Sequence, residues 1–402
     1  MTYTPATQDQ LLAIRVNAGI DDLANSEKFA AAEPDMVEAI VAGIGEFAAG
    51  EWAPLNRIGD IEGAKLENGV VRLPDGFAEA YAHYVEQGWN AISGPVGFGG
   101  QGLPFTLSCN VLENLGTANM AFNLLPMLSV GAIESLDHHG SAELQEKYLP
   151  KLVSGEWSGT MNLTEPQAGS LPADMRTMAV KKGDRYILNG EKIYITNASI
   201  ANVFTVMAIT DKSKGIKGIS AFIVERNFKG FSVGKNELKM GMHGCSTAPL
   251  SFTDCEVPAE NLLGGEGLGY IQAMKTLTAG RVTVSARCCG MMDHLINRCV
   301  DYMKVRVQGG KKLAEHQGLQ WMLADMSVQR DAARGLTYRA IETLMRGERG
   351  TMEASAAKLY STEALGKVVD CAVQIHGGMG YMREAGIETT YRDARIVRIY
   401  EG

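Results

Sequence analysis

The spacing of apolar residues changes period twice along these 402 residues, and each change narrows what the chain can fold into. From about Gln8 to Gly155 apolar positions recur at helical steps, as in Met36, Ile40, Ile44 and Phe47, and again in Leu124, Leu128, Ile133 and Leu136. This third reads as all-helical. Around Thr177 the pattern turns β-rich. Tyr186 to Thr196 carries Asn189-Gly190 between two strand-like runs, and Asn-Gly suits the positive φ angles of a type I′ turn, so a hairpin is expected there. Further strand-like runs cover Val203 to Thr210, Ile219 to Glu225 and Leu250 to Val257. After Gly269 helical stepping returns through Ile271, Met274, Leu277, Val284, Cys288, Leu295, Cys299 and Met303, with Arg281 at a break in the stripe. The expected class is α+β: a helical domain over 1–158, a mostly antiparallel β domain over 159–264 and a helical bundle over 265–402.

The net charge of -8 comes with no cluster of Lys and Arg, which excludes a nucleic-acid footprint but leaves room for a local phosphate site. No run approaches the ~18 apolar residues of a membrane span. The seven cysteines form no CxxC pair, and an odd number in a long chain points to a reducing compartment. The first fifteen residues lack a basic stretch followed by an apolar one, and Asp9, Asp21, Asp22 and Glu27 do not suit a transit peptide. A bacterial-type cytoplasmic location is expected.

Several segments carry chemistry. Met161-Asn162-Leu163-Thr164-Glu165-Pro166-Gln167-Ala168-Gly169-Ser170 offers small residues and backbone amides, which suit close approach to a planar ring with polar edges. Ile193-Tyr194-Ile195-Thr196-Asn197 follows it. Arg306-Val307-Gln308-Gly309-Gly310 holds an arginine whose planar fork suits a phosphate. Gln374-Ile375-His376-Gly377-Gly378-Met379-Gly380-Tyr381 has glycines that let backbone approach an anion. Tyr391-Arg392-Asp393-Ala394-Arg395 and Tyr400-Glu401-Gly402 close the series.

In this order the segments resemble the acyl-CoA dehydrogenases, over nearly the whole chain. The resemblance implies FAD as cofactor, and a C-terminal domain built as a four-helix bundle. It implies that Leu163 and Thr164 lie along the flavin pyrimidine edge, with Ser170 turned towards the acyl-CoA. Thr196 would face flavin N5, next to Ile195 and with Tyr194 stacking near the ring. Arg306, Gln308, Gln374, Gly377 and Gly378 would reach the FAD diphosphate of a neighbouring subunit in a homotetramer. Glu401 would remove the substrate's α-proton while a β-hydride leaves for the flavin, giving the trans-2-enoyl-CoA and passing electrons to an electron-transfer flavoprotein. Arg281 matches an arginine near the active site, and Thr278 a position where aspartate often contacts CoA. In branched-chain and long-chain members the base stands just before that arginine; here the position is Gly280, which leaves Glu401.

The sequence also departs from the family pattern. Leu171 stands where aspartate is expected, Gly309 where phenylalanine is expected, and His243 where arginine is common. The N-terminal third, through Asn119 to Phe122 and His138 to Ser141, resembles the bacterial methylthiopropionyl-CoA dehydrogenase subgroup; the C-terminal half resembles short-chain members. With Gly280, this favours acyl chains of roughly four to eight carbons. The family continues past its glutamate with another helix, whereas Glu401 is penultimate here and is expected to fray as chain ends do. An acyl-CoA oxidase and a flavin-binding scaffold with impaired catalysis are the alternatives.

Two further patterns are read as decoys. Gly97 to Gly102 satisfies G-x-G-x-x-G, but no strand precedes it and no βαβ alternation surrounds it. His138-His139 lacks a partner at ligand spacing, so no metal site is expected.

Overall fold

The computed structural model describes residues 3–67 and 70–402. Seven helices of eight residues or more occupy the described N-terminal part, from Thr7–Val16 to Ala142–Val153. The expected all-helical character is broken once: Lys65–Glu67 pairs antiparallel with Val70–Arg72. Adjacent β-branched residues at 70 and 71 favour that short ribbon over another helical turn. Among the described residues no helix is long and apolar enough to cross a membrane.

The middle region is an eight-stranded, mostly antiparallel sheet. Gly159–Asn162 enters it parallel to Val203–Ile209. Along Val203–Ile209 the side chains alternate between two cores: Val203, Met207 and Ile209 pack on one face, Phe204, Val206 and Ala208 on the other. This is the period-two alternation of a strand covered on both faces, and it explains why the segment reads as an unbroken apolar run. One face is covered by Leu136, Leu149 and Leu152 of the N-terminal helices and by Ala273 of the helix that follows the sheet.

The expected Asn189-Gly190 hairpin is not there. Arg185–Thr196 is one strand of 12 residues, and the chain reverses earlier, at Gly183 (φ 63°). Asn189 and Gly190 instead mark a register shift against Thr247–Pro258. The Asn189 amide is paired with Asp254, accepting from its N–H at 2.9 Å and donating to its carboxylate at 3.1 Å. A Cβ on Gly190 would stand 2.5 Å from Thr177 Oγ1. Asn-Gly here serves a bulge and a close strand contact, not a turn.

The C-terminal part packs three long helices, Gly269–Val305, Gln317–Met345 and Thr351–His376, with the shorter Ile387–Ala394. Between the first two, Val307–Gln308 and Lys311–Lys312 form a two-residue hairpin whose loop glycines, Gly309 and Gly310, both have positive φ. That is the backbone a tight hairpin needs, and a phenylalanine at 309 would strain it. The helix Gly269–Val305 contributes to all the cores outside the sheet's far face: Val282 and Ala286 to the N-terminal one, Val284 and Cys288 to the bundle, Ala273 to the helix-sheet interface.

Candidate active site

Glu401 lies across the long helix at Gly280, where that helix presents no side chain. A Cβ on Gly280 would meet Glu401 Oε2 at 2.6 Å, so glycine is what admits the carboxylate. The two border a cleft of about 450 Å³, counted with its open mouth, whose apolar wall includes Phe105, Met127, Leu128 and Met161. A second carboxylate, Glu134, borders the same cleft. Burial pushes the Glu401 carboxyl above its ordinary range, against the opposing pull of Arg281, Arg287 and Lys358.

The backbone at Glu401 is held in the left-handed region (φ 62°), a conformation that needs support from its surroundings. Support comes from the long helix and its neighbour. Arg281 Nε donates to the Glu401 carbonyl at 3.0 Å, and Lys358 Nζ donates to Gly402 O at 2.7 Å. Arg287 donates to the Tyr400 hydroxyl. The expected fraying of this segment is therefore replaced by anchoring at three successive residues. Among the described residues the Glu401 backbone N–H has no acceptor. Further back, Asp393 accepts from the Met242 N–H and Arg392 pairs with Asp60 at 2.6 Å, which fixes the approach to the site.

Met161 connects the cleft to the segments expected to meet the flavin, because Leu163 and Thr164 follow two and three residues on. These two and Thr196 are half-buried. The loop and the strand are braced together: Ile193 N–H donates to Thr164 O at 3.0 Å, and Thr160 Oγ1 donates to Thr196 O at 2.9 Å. Fully buried Lys192 donates to Glu165 Oε1 at 2.7 Å and to Leu163 O at 3.2 Å. A second register shift, between Lys192 and Ile195, turns Tyr194 (φ 56°) out to 65% exposure while Ile195 stays buried. A half-buried polar edge beside a projecting aromatic ring fits the face and edge of a flavin. Ser170 is exposed at the end of the same loop.

Arg306, Gln308, Gln374, Gly377 and Gly378 are exposed and share one end of the bundle. Tyr302 and His376 bring them together, with rings stacked at 4.4 Å between centroids. Along the long helix Arg306 lies roughly 40 Å from Gly280, at ~1.5 Å per residue. The structure thus separates the residues read from sequence into two groups.

Thr278 does not line the cleft. It is buried, and its hydroxyl donates to Met274 O at 2.9 Å; Thr276 lines the cleft instead. His243 is engaged by Asp60 at 3.0 Å and by Lys239 O at 2.9 Å. Gly97 to Gly102 is a loop ahead of helix Phe105–Ala118, where a Cβ on Gly100 would collide with the Gly94 backbone. Among the described residues no group of His, Cys, Asp or Glu is placed to hold a metal ion. Sequence reasoning missed Lys358, Arg287, Glu134 and the Lys192–Glu165 pair. Only Arg287 left a trace, as the one charge in the run Val282 to Cys289; it is fully buried, and its Nε and Nη1 lack partners among the described residues.

Three family models match this chain: acyl-CoA dehydrogenase N-terminal domain over residues 35–156, middle domain over 160–255 and C-terminal domain over 267–402. A short-chain specific acyl-CoA dehydrogenase of Clostridium acetobutylicum is 42% identical over 307 residues, covering 76% of this chain and 80% of the relative. The solved butyryl-CoA dehydrogenase of Megasphaera elsdenii superposes with a TM-score of 0.86 at 35% identity, covering 92% of this chain and 95% of that one. A structure reported with the electron transferring flavoprotein of Acidaminococcus fermentans gives the same TM-score at 37% identity, with the same coverage.

Proposed function

This chain belongs to the acyl-CoA dehydrogenase family, and from that premise we propose that it oxidises the Cα–Cβ bond of an acyl-CoA thioester with Glu401 as the base. The observation that carries the assignment is the Glu401 carboxylate resting over Gly280 in an apolar cleft, with its backbone N–H free. Burial makes this carboxylate a stronger base than it would be in water. Its N–H is available to the thioester carbonyl, where charge develops as the α-proton leaves. Arg287, Arg281 and Lys358 hold Tyr400, Glu401 and Gly402 in turn, so the proton acceptor and the N–H donor move as one unit. The apolar wall keeps water from the reacting carbons.

FAD, when bound, supplies the acceptor for the β-hydride. Leu163, Thr164, Tyr194, Ile195 and Thr196 would hold its ring. Arg306, Gln308, Gln374, Gly377 and Gly378 stand roughly 40 Å along the helix from Gly280. That distance supports their serving a neighbour's diphosphate; a homotetramer is the assembly the family resemblance implies for it. We place the domain limits at 158 and 264, where helix gives way to strand and strand to helix. An electron-transfer flavoprotein as acceptor, a cytoplasmic location and short acyl chains complete the reading.

The deciding experiment replaces Glu401 with Gln. The variant should bind FAD and acyl-CoA as the parent does, while anaerobic bleaching of its flavin slows by at least ~10²-fold. Bleaching at the parental rate would assign the proton to another residue.

A further inference from the structure

The cleft that holds Glu401 contains a second carboxylate for which the proposed reaction has no use. Glu134 shares one face of helix Leu124–His139 with Met127, Val130 and Gly131, at seven-, four- and three-residue steps, and all four border the cleft. An apolar stripe facing an apolar cleft thus ends in an acid. Among the described residues no donor hydrogen-bonds that carboxylate. Its charged neighbour is Asp137, of like sign; burial first, then Asp137, pushes the Glu134 carboxyl up to about 7. His138 Nδ1 donates to the backbone carbonyl of this residue at 2.8 Å and not to its carboxylate.

An acyl chain entering the cleft covers Glu134 and removes its water. An alkyl chain returns nothing for the lost hydration, whereas a chain bearing a hydroxyl or amide N–H returns a charge-assisted hydrogen bond. A site with an unsatisfied buried polar group discriminates strongly against the ligand that leaves it unsatisfied. Resting on the acyl-CoA reading above, we propose that Glu134 determines specificity: it selects short acyl thioesters that carry a hydrogen-bond donor on the distal part of the chain over their alkyl isosteres, and rejects chains ending in a carboxylate.

The test uses FAD-loaded protein at pH 8, where the carboxylate only accepts. Matched thioesters differ by methyl against hydroxyl: pentanoyl- with 4-hydroxybutanoyl-CoA, hexanoyl- with 5-hydroxypentanoyl-CoA, heptanoyl- with 6-hydroxyhexanoyl-CoA. Both kcat/KM and the calorimetric Kd under anaerobic conditions are read. In at least one pair the hydroxyl member should lead by ~10-fold or more, and Glu134→Met should abolish or reverse that ratio. Glu134→Gln keeps the shape but loses the charge, so it should accept glutaryl-CoA at least ~10-fold better than the parent. A parental preference for the alkyl member in every pair, or ratios unmoved by both variants, overturns the assignment. If Glu134→Met does not fold, the glutaryl-CoA ratio of Glu134→Gln decides by itself. Flavin bleached by acyl-CoA without donor preference removes Glu134 alone; flavin bleached by no thioester removes the reaction, and this inference with it.

Discussion

Gly280→Ala is the substitution that separates the site from the fold most sharply. The new methyl would sit 2.6 Å from Glu401 Oε2 and 3.3 Å from its Cδ. Restoring an ordinary separation of about 3.5 Å requires the carboxylate to retreat by about 1 Å. The obstacle is the end of a flexible side chain, so the helix need not move. A misplacement of about 1 Å is enough to cost a reacting pair on the order of 10²-fold in rate, or about 2.7 kcal/mol. Alanine in a helix interior is meanwhile favoured over glycine by ~1 kcal/mol. The expected variant therefore melts at or above the parental temperature while its kcat falls by ~10- to 10²-fold. Rapid mixing with an acyl-CoA under anaerobic conditions measures the first flavin reduction, and calorimetry measures Tm. A parental reduction rate together with a raised Tm would refute the claim that Gly280 exists to admit Glu401.

Two other expectations concern stability. The Glu134 carboxyl titrates near 7 in the folded protein against 4.5 as its ordinary value, so the folded state binds its proton more tightly. The stability this provides is complete below about pH 4.5 and is lost as pH rises through about 7. Glu134→Met should then raise Tm at pH 8 more than at pH 4.5, and an equal shift at both would contradict the burial argument. Lys192→Met leaves Glu165 buried without its cation and should cost roughly 3–5 kcal/mol in urea unfolding, with faster loss of FAD; a loss below ~1 kcal/mol would show that the pair does not brace the loop.

The fold was legible where hydrophobic period decides it. Ile219–Glu225 has the bounds read from its spacing, because both faces of that strand are covered and the six residues before Glu225 are apolar or small. Asn189-Gly190 was misread because a turn and a bulge ask for the same local chemistry, and the choice between them rests with Thr247–Pro258, some sixty residues on. Thr276 and Thr278 are two positions apart on one helix, about 200° around its axis, so a resemblance that places the helix does not by itself say which of the two borders the cleft. Glu401 was singled out through the order of motifs, whereas Lys358 and Glu134 belong to no motif and are distinguished only by what packs against them.

The helix Gly269–Val305 places side chains in the N-terminal core, in the bundle and against the sheet, with Gly280 near the point where they meet. No one of these regions can come apart without stripping the rod the others are built on. The consequence is cooperative: opening any one region should loosen the helix under the other two, and with it the glutamate over Gly280.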